Sequence, residues 1–386
     1  MSTAVRKRNG SPPRPVSLAE RERPTSVPER VPPVPFEHEE LVIRRGLRSD
    51  RYVVVAVHST ALGPALGGVR LWDYPATIDA ARDALRLAHG MTMKAAAAGL
   101  NLGGGKGVIC APAGDAADPE LRRAMLLDFG DLVESLEGRY ITAEDVGVSP
   151  DDLVAIAERT EHLTGLPPEL GGSGDPSPFT ATGVEAAMRA CARSMLGSAD
   201  LAGRRAIVVG LGHVGEALAR RLLAAGAEVA ATDVVDAKRG VAEPLGIEWI
   251  EPGQAMLAEC DLLAPCALGG AVNDANVDRL RCRVLCGSAN NQLAEEGLDE
   301  RLAARDILYA PDYIANAGGL IHVYMEIRGY DEGRASELVL GIERTMDRIL
   351  ATAAEREITP LRAAGEIARE RLEAASAAPE RARVTH

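Results

Sequence analysis

The chain has 386 residues, of which 46% are hydrophobic and 26% are charged, and it carries a formal net charge of −13. This length is more than one ordinary hydrophobic core accommodates, so the sequence predicts two domains. An acidic chain without clustered Lys and Arg is a poor general partner for nucleic acid. No apolar run reaches the length of about 18 residues that a membrane span requires. We therefore expect neither nucleic acid nor a membrane as a partner.

Both ends of the chain are predicted to be disordered. Residues 1–35 are rich in proline and lack the apolar segment of a secretory signal. An organelle transit peptide is a weaker alternative, because acidic residues are present there. Residues 377–386 form the second tail, with fraying predicted after Ala374. Six cysteines without a C-x-x-C pair indicate reduced thiols, so we expect a cytoplasmic protein without a bound metal.

The first domain opens with two predicted strands, at 41–43 and 52–57, separated by a polar turn. The glycine pair Gly67-Gly68 follows, which either lets a backbone approach closely or simply makes a tight turn. A helix is then predicted with Thr77 as its N-cap and Lys94 at its far end.

Lys106 lies in a glycine-rich run, Gly103-Gly-Gly-Lys-Gly107, just before the apolar segment 108–110, which reads as a buried strand. A lysine in so dry a setting has a lowered pKa and can accept protons near neutral pH. Two alternatives remain open from this stretch alone. The run could be a phosphate-binding glycine loop, or Lys94 and Lys106 could be ordinary surface lysines.

A helix is predicted at 119–136, followed by a strand that runs into a loop over 139–147. That loop carries Glu144 and Asp145. Adjacent carboxylates at a strand end are typical of catalytic sites in α/β proteins, although one of them could instead cap the next helix. The Gly- and Pro-rich stretch 171–178 is typical of a linker and marks the predicted end of the first domain.

The second half of the chain alternates helices and strands. After a helix at 180–188, the strand 205–210 leads into Gly210-x-Gly212-x-x-Gly215 and an Ala- and Leu-rich helix. These glycines allow a backbone to approach a pyrophosphate at a helix N-terminus. The order of strand, glycines, helix and second strand predicts a dinucleotide-binding fold.

The second strand of this fold, 227–233, ends in Asp233. Its carboxylate would accept hydrogen bonds from a ribose 2′-hydroxyl and would repel a 2′-phosphate, so NAD is predicted rather than NADP. Lys238 and Arg239 are a caution, because basic residues nearby can accommodate that phosphate. Since the phosphate-binding role falls here, Lys94 and Lys106 become available for a substrate.

Loops after the remaining strands lie where an open α/β sheet binds ligands. Asn291 in one of these loops reads better as a loop former than as a ligand. Beyond Arg328 the chain is predicted to be helical, over about 336–356 and again from Pro360. The three strands that precede these ligand-binding loops are predicted at 261–264, 283–286 and 307–309.

Seven motifs in this chain occur in the order in which one enzyme family has them: Leu62–Gly68, Met91–Lys94, Gly103–Lys106, Thr142–Gly147, the Gly210 fingerprint, Ala289–Asn291 and Asn316–Gly319. Over about residues 36–360 the chain resembles the amino-acid dehydrogenases that include the leucine, valine and phenylalanine enzymes. The resemblance implies an α/β fold with an N-terminal mixed-sheet domain for substrate binding and oligomerisation (36–178). A C-terminal Rossmann NAD-binding domain (179–327) and C-terminal helices (328–376) would follow.

The family implies reversible, NAD-linked oxidative deamination of an L-amino acid to its 2-oxo acid and ammonia, in a cleft between the domains. Lys106 matches the lysine of lowered pKa that activates water, and Asp145 matches the carboxylate that moves protons to and from the amine. Lys94 matches the lysine that holds the substrate carboxylate, with Asn290 and the Gly67 backbone as further contacts. The implied cofactor contacts are Gly210, Gly212, His213, Val214, Gly215, Asp233, Thr180, Ala267 and Asn290.

The side-chain pocket is implied to be lined by Leu66, Ala143, Leu320 and Val323. Bulk at Leu320 would crowd a phenyl ring, which favours a branched aliphatic substrate of the leucine or valine type. His322 favours the opposite conclusion, because its position is more similar to the phenylalanine enzymes. No cationic residue is present in this lining, which argues against glutamate.

Three alternatives to this function are an aromatic amino-acid dehydrogenase, a 2-hydroxy-acid dehydrogenase and a non-catalytic NAD-binding regulator on the same fold. The 2-hydroxy-acid enzymes typically use a His/Arg pair in place of the lysines and aspartate. A regulator would be expected to lack Lys106 or Asp145, and both are present. The sequence therefore favours an enzyme that binds a small-molecule amino acid and, as in the family, assembles as a homo-oligomer, a dimer or an octamer.

Overall fold

The computed structural model describes residues 37–377. The predicted tails lie outside the described residues, except for Ala377, which ends the last helix, so the predicted fraying after Ala374 was wrong by one turn.

The described chain forms two six-stranded sheets with helices, as predicted for a two-domain α/β fold. The strands are β1 (Glu40–Arg45), β2 (Tyr52–Ser59), β3 (Ala65–Leu66), β4 (Val69–Trp72), β5 (Gly103–Cys110), β6 (Tyr140–Ile141), β7 (Arg205–Val209), β8 (Glu228–Thr232), β9 (Glu248–Trp249), β10 (Cys260–Pro265), β11 (Cys282–Leu285) and β12 (Leu308–Tyr309). The helices are α1 (Thr77–Ala97), α2 (Pro119–Glu134), α3 (Pro150–Ala157), α4 (Ser177–Leu196), α5 (His213–Ala224), α6 (Arg239–Ala242), α7 (Pro252–Ala255), α8 (Leu298–Ala303), α9 (Asp312–Ala315), α10 (Gly318–Ile327), α11 (Glu332–Leu340), α12 (Ile342–Arg356) and α13 (Pro360–Ala377).

The first sheet is mixed, with β5 at its centre. Its strand order is β1-β2-β5-β3-β6, and β4 also pairs with β5. Strand β2 is antiparallel to both β1 and β5, while β3 and β4 lie parallel to β5. The glycine run that the sequence placed before a strand lies inside β5, so Lys106 is a mid-strand residue. The prediction that the strand begins only at residue 108 was wrong. Clustered glycines usually mark loops, whereas in β5 they allow neighbouring elements to approach the strand backbone closely.

The glycines of β5 bring other elements into direct contact with the strand backbone. A Cβ at Gly104 would lie 2.1 Å from the Thr92 nitrogen on α1, and one at Gly105 would lie 2.5 Å from the Tyr140 ring. A Cβ at Gly67 would lie 1.8 Å from the Gly105 oxygen. The backbone packing around Lys106 therefore requires glycine at these positions.

Helix α1 covers one face of the first sheet with small side chains. Its N-cap is Ala76, without a side-chain hydrogen bond, so the predicted Thr77 cap was wrong. The helix is held instead by burial of an alanine stripe, since tertiary packing supplies most of the stability of helices in proteins. That stripe packs on Val54 and Val108 and includes Ala80, Ala84 and Ala88.

We expect Gly104→Ala to destabilise the protein by about 2–3 kcal/mol, because the added methyl group would meet the backbone of α1. Gly90→Ala is the matched control within α1. A Cβ there would have no neighbour within 4 Å, and alanine is the better helix former by about 1 kcal/mol. Urea unfolding of both variants measures the difference. Equal midpoints for the two would contradict the close packing of α1 on β5.

Helices α2 and α3 have their own caps. Asp118 accepts hydrogen bonds from two N–H groups of α2, and Ser149 and Asp152 form a capping box at α3. Glu144 and Asp145 therefore cap neither helix, and the alternative structural role for this pair was wrong.

The second sheet is entirely parallel, with the order β12-β11-β10-β7-β8-β9. With its strands renumbered from β7 onwards, this is the 3-2-1-4-5-6 order of a Rossmann fold. The predicted dinucleotide-binding fold is confirmed. Strand β9 was not predicted, because two residues are too short to show an alternating pattern.

The predicted linker at 171–178 is tied to helix α10. The Glu326 carboxylate accepts hydrogen bonds from the N–H groups of Gly165 (2.8 Å) and Ser173 (2.9 Å) and from the Ser173 hydroxyl. Helix α4 then begins at Ser177 and packs with the second domain. The stretch thus connects the domains without being a free tether.

The C-terminal helices return to the first domain. The helix predicted at 336–356 is two helices that meet at Gly341. On α13, the Arg371 guanidinium donates hydrogen bonds to the carbonyl oxygens of Ala96 (3.1 Å) and Leu100 (2.7 Å) at the end of α1. Across residues 37–377, no helix is both long and apolar enough to cross a membrane.

Candidate active site

Lys106 and Asp145 form an ion pair at the centre of the first sheet. Strand β5 holds Lys106, and the loop after β6 brings Asp145 to it, with 2.7 Å between Nζ and Oδ2. The Lys106 side chain is 7% exposed, and its burial lowers the pKa of the amine. Burial alone would raise the pKa of Asp145, but Lys106 and Arg70 outweigh it and hold that pKa below its usual value. A dry amine beside an ionised carboxylate can exchange protons with a bound substrate.

Arg70 joins this pair, and the sequence did not single it out. Its Nε donates to Asp145 Oδ2 at 3.0 Å, and its Nη1 donates to Asp83 Oδ2 on α1 at 2.9 Å. In the sequence, Arg70 alternates with the buried Val69 and Leu71, so a strand pattern was available there. Its partners are not sequence neighbours, and only the fold shows them.

Lys94, in the last turn of α1, reaches the second domain. Its Nζ donates to Asn316 Oδ1 at 2.7 Å. The Asn316 amide in turn donates to Asn290 Oδ1 at 2.8 Å and to the Ser288 carbonyl oxygen at 3.1 Å. Burial lowers the pKa of Lys94 to about 8, with Asp312 opposing the shift. Lys94 and Asn290 are therefore linked through Asn316, which the sequence placed in a motif without a role.

Asn290 is fixed by a buried hydrogen-bond network after β11. The Gln292 amide donates to the carbonyl oxygens of Gly287 (2.9 Å) and Ala289 (3.0 Å). The Gln292 N–H donates to Asp312 Oδ2 at 3.0 Å. Asn291 has a φ of 51°, which asparagine tolerates, in keeping with a loop-forming role. Gln292 therefore anchors the loop, and Asn290 itself is exposed and held by the Asn316 amide.

The Gly67 backbone is largely used within the sheet. Its N–H donates to the Ile141 carbonyl oxygen at 3.2 Å, and its carbonyl oxygen accepts from the Tyr140 hydroxyl. A substrate contact at Gly67 can therefore use only the remaining lone pair of that carbonyl oxygen.

Three of the four predicted pocket residues lie in one apolar cluster. Leu66 on β3 and Leu320 on α10 are buried in it, and Val323 packs against it. Ala143 lies in the loop that carries Asp145, where its carbonyl oxygen accepts from the Val69 N–H at 2.8 Å. These branched aliphatic residues therefore belong to one apolar core that includes side chains of both domains, in which Leu66 is 1% and Leu320 is 9% exposed.

His322 is engaged in holding the interdomain segment. It is 1% exposed, with Nε2 at 3.1 Å from the Ser173 carbonyl oxygen and Nδ1 at 3.4 Å from the Tyr330 hydroxyl. Its ring stacks on Phe179, with centroids 4.3 Å apart. Because both ring nitrogens have partners there, His322 gives no support to an aromatic substrate.

The glycine fingerprint fits a pyrophosphate. Gly210 has a φ of 105°, and a Cβ there would lie 2.7 Å from the Ala267 Cβ. A Cβ at Gly215 would lie 1.9 Å from the Gly210 oxygen, whereas one at Gly212 would have no neighbour within 4 Å. Gly212 therefore borders open space at the start of α5. His213 and Val214 open that helix, where N–H groups lack helical acceptors and attract anions.

Of the remaining two predicted cofactor contacts in this part of the chain, Ala267 lies beside the glycine fingerprint and Thr180 lies on α4. Ala267 follows β10 and contacts Gly210, as described above. The Thr180 hydroxyl donates to the Pro176 carbonyl oxygen at 3.1 Å, and a Cβ at Gly319 would lie 2.8 Å from its oxygen. Thr180 therefore packs against the start of α10, beside Leu320.

Asp233 is held at the end of β8 by the backbone. Its Oδ2 accepts from the Leu211 N–H at 2.7 Å, and its Oδ1 accepts from the Val235 N–H at 2.8 Å. Each oxygen keeps a lone pair for a ribose hydroxyl. Arg239 pairs with Asp236 at 2.6 Å and with Glu251 at 2.7 Å, so its charge is already compensated. This arrangement favours NAD over NADP.

We expect Asp233→Ser to lower kcat/KM for NAD by about 10–100-fold, because hydrogen bonds to a charged group contribute about 1.5–3 kcal/mol. Use of NADP should improve, since the repulsion of its 2′-phosphate is removed. Steady-state kinetics with both cofactors measure the ratio. Glu228→Gln, at the other end of β8, is the control. An unchanged NAD/NADP ratio in Asp233→Ser would contradict the ribose contact.

The chemistry that this site can perform follows from its side chains within residues 37–377. Within that range no group of three or more His, Cys, Asp or Glu is arranged to hold a metal ion. The side chains instead supply a titratable amine, a carboxylate and a second lysine near an apolar cluster. This set can bind an α-amino acid and move its protons.

Comparison with known proteins gives the class. Residues 50–162 match the Glu/Leu/Phe/Val dehydrogenase dimerisation domain, and residues 247–378 match the Glutamate/Leucine/Phenylalanine/Valine dehydrogenase domain. Residues 182–269 match the NAD-binding domain of D-isomer specific 2-hydroxyacid dehydrogenases, a match confined to the nucleotide-binding part. Fold, site and matches together define an amino-acid dehydrogenase with an NAD-binding domain.

Individual relatives cover nearly the whole chain. The leucine dehydrogenase of Thermoactinomyces intermedius is 44% identical over 342 residues, which are 88% of this chain and 92% of the relative. The valine dehydrogenase of Streptomyces coelicolor is 44% identical over 348 residues, 89% of this chain and 94% of the relative. The crystal structure of L-tryptophan dehydrogenase from Nostoc punctiforme is 36% identical with a TM-score of 0.79, covering 89% of this chain and 98% of that one. The chain therefore belongs to the Glu/Leu/Phe/Val dehydrogenase family, as its motifs predicted.

Proposed function

We propose that this chain catalyses the reversible, NAD-dependent oxidative deamination of a branched-chain aliphatic L-amino acid to its 2-oxo acid and ammonia. The observation that carries the proposal is the 2.7 Å ion pair of Lys106 with Asp145 on the central strand. Lys94, which reaches the second domain through Asn316, supplies the ammonium group that such a substrate carboxylate needs.

Each side chain has a distinct role in this proposal. Lys94 binds the substrate carboxylate, and the Asn290 amide contacts the same polar end. Asp145 accepts a proton from the substrate ammonium group, because Cα can lose a hydride only when the amine is neutral. The Gly210–Gly215 loop and Asp233 would hold NAD, which would supply the hydride acceptor.

Lys106 acts in the second half of the reaction. Its neutral amine takes a proton from water, which attacks the iminium carbon, and the resulting ammonium can hydrogen-bond the developing oxygen. Asp145 returns its proton to the nitrogen, the C–N bond breaks and ammonia leaves. The hydroxyl proton released as the carbonyl group forms passes to the Asp145 carboxylate, which is ionised again, and then to solvent. Because burial lowers the pKa of Lys106, its neutral and protonated forms interconvert at a pH below the ordinary lysine range.

The substrate side chain follows from the apolar cluster. Leu66 and Leu320 are buried there, and their bulk suits a branched aliphatic chain better than an aromatic ring. The leucine and valine dehydrogenases among the relatives support the same assignment. The tryptophan dehydrogenase similarity keeps an aromatic substrate as the second candidate, although His322 lends it no support.

Three wider assignments accompany the function. We place the domain boundary between residues 178 and 179, in the first turn of α4, because that helix packs in the core of the second domain. A homo-oligomer, a dimer or an octamer, is supported by the match to a dimerisation domain. A cytoplasmic location is supported by six unpaired cysteines, which indicate a reducing compartment.

A substrate panel tests the side-chain assignment. We expect kcat/KM for leucine, valine and isoleucine to exceed that for phenylalanine, tryptophan and glutamate by at least about tenfold, since one methylene changes such values by about 10–200-fold. A preference for an aromatic substrate or for glutamate would contradict the assignment.

A further inference from the structure

Arg70 connects the proposed proton carrier to helix α1. Its side chain is 23% exposed and bridges two carboxylates, Asp145 at 3.0 Å and Asp83 at 2.9 Å. Asp83 is itself fixed, because its Oδ2 also accepts from the Tyr74 hydroxyl at 2.7 Å and its Oδ1 accepts from Arg86 at 2.7 Å. The Arg70 guanidinium is thus anchored to α1 through Asp83 on one side and donates to Asp145 on the other.

The two cations on Asp145 share one oxygen. Lys106 Nζ lies 2.7 Å from Oδ2, and Arg70 Nε lies 3.0 Å from the same atom. Oδ1 receives neither of them. Two donors from different elements on Oδ2 restrict the rotation of the carboxylate and leave Oδ1 available, and proton transfer to a bound group depends on such positioning.

We propose that Arg70 is the positioning residue of this site: anchored by Asp83, it holds Asp145 through Oδ2 so that Oδ1 faces the substrate amine, and it supplies a permanent charge beside Lys106. This inference rests on the proposed function. Arg70 does not touch the substrate in this account and acts through Asp145.

The permanent charge of Arg70 affects both titrating groups. A guanidinium stays protonated across the working pH range. Lys106 and Arg70 together hold the pKa of Asp145 down against its burial. Burial is the main cause of the lowered pKa of Lys106, and the Arg70 charge adds to it. The other titratable groups around the pair are Asp83, Tyr74, Tyr140 and Glu144.

Three variants separate charge from position. Arg70→Gln removes both, and we expect kcat to fall by about 10–100-fold with little change in KM for NAD, since misplacing a reacting group by about 1 Å costs on the order of 100-fold. Loss of the Arg70 charge should raise the pKa values of Asp145 and Lys106. As the pH is lowered, kcat/KM of Arg70→Gln should therefore begin to fall at a higher pH than kcat/KM of the wild type. Arg70→Lys keeps the charge but cannot span both carboxylates, so its profile should stay near wild type while kcat is intermediate. Asp83→Asn weakens the ion pair that anchors the Arg70 guanidinium but keeps the Arg70 side chain and its charge. We expect this variant to have a lower kcat.

Arg48→Gln is the matched control. Arg48 also bridges two carboxylates of the first domain, Asp128 at 2.9 Å and Asp131 at 2.6 Å, but it lies between β1 and β2. We expect lower stability without a change in the pH profile. If Arg70→Gln resembles Arg48→Gln, with a profile that superimposes on wild type, Arg70 is only a structural residue and the inference is overturned.

A second readout does not depend on turnover. Cyanate modifies only neutral amines, and the chain has four lysines, so peptide mass spectrometry can follow Lys106 in the substrate-free protein. We expect its modification to begin at higher pH in Arg70→Gln than in wild type. Identical profiles would overturn the electrostatic role of Arg70. A wild-type protein that turns over no amino acid would contradict the proposed function instead, and this comparison would still decide the role of Arg70.

Discussion

Lys106→Met is expected to lower kcat by about 10²–10⁴-fold in both directions, the range that a positioned acid or base contributes. Methionine preserves most of the buried volume in β5 and removes only the amine. Asp145 would keep Arg70 as its partner, so the site should stay assembled. Binding of NADH, measured by fluorescence titration, should be nearly unchanged because the second domain is untouched.

The pH dependence gives a second check on Lys106. Because its pKa is lowered by burial, oxidative deamination by the wild type should rise with pH as the amine loses its proton, and reach a plateau below the ordinary lysine range. A Lys106→Met variant with kcat within a few fold of wild type would show that another group activates water.

Lys94→Met is expected to weaken substrate binding and to stabilise the protein at the same time. Loss of the ammonium group should raise KM for both the amino acid and the 2-oxo acid by about 10–100-fold, since charge-assisted hydrogen bonds contribute about 1.5–3 kcal/mol. The KM for NAD should change little.

The gain in stability follows from the pKa of Lys94. In the folded protein this pKa is lowered from 10.5 to about 8, so the unfolded chain binds the proton more tightly. The resulting cost is complete below about pH 8 and disappears as the pH rises towards 10.5. Removing the amine removes this cost but also removes the hydrogen bond to Asn316. The net result should be a free energy of unfolding that is higher by about 1–3 kcal/mol at neutral pH.

Urea unfolding at neutral pH and at pH 10 tests this account of Lys94. The advantage of Lys94→Met over wild type should be larger at neutral pH and smaller at pH 10. A variant that is less stable than wild type at neutral pH and keeps its KM would contradict both the burial cost and the carboxylate role.

Local patterns explain what could be predicted from the sequence. The fingerprint from Gly210 to Asp233 is contiguous, and each of its glycines has a local backbone reason, so the Rossmann fold followed directly. Lys106 could be assigned a dry setting because apolar and glycine neighbours surround it in sequence. Its place inside β5 could not be predicted, because glycines disfavour strands unless other backbones pack on them, and those backbones come from β2 and α1.

Contacts between distant segments explain what was missed. Lys94 and Asn316 are 222 residues apart, and no local pattern pairs them. Arg70 shows an ordinary strand alternation, and its role depends on Asp83 and Asp145 from two other elements. His322 appeared relevant to substrate choice by its position alone, whereas the fold uses it to hold Ser173.

The central claim is that this Lys106 site deaminates a branched-chain amino acid with NAD. The most direct measurement incubates the full chain with L-leucine and NAD at alkaline pH and follows NADH and ammonia together. The account predicts that both appear in equal amounts and that Lys106→Met slows the appearance of both by about 10²–10⁴-fold. NADH without ammonia, or no turnover of leucine, valine, isoleucine and phenylalanine, would contradict it.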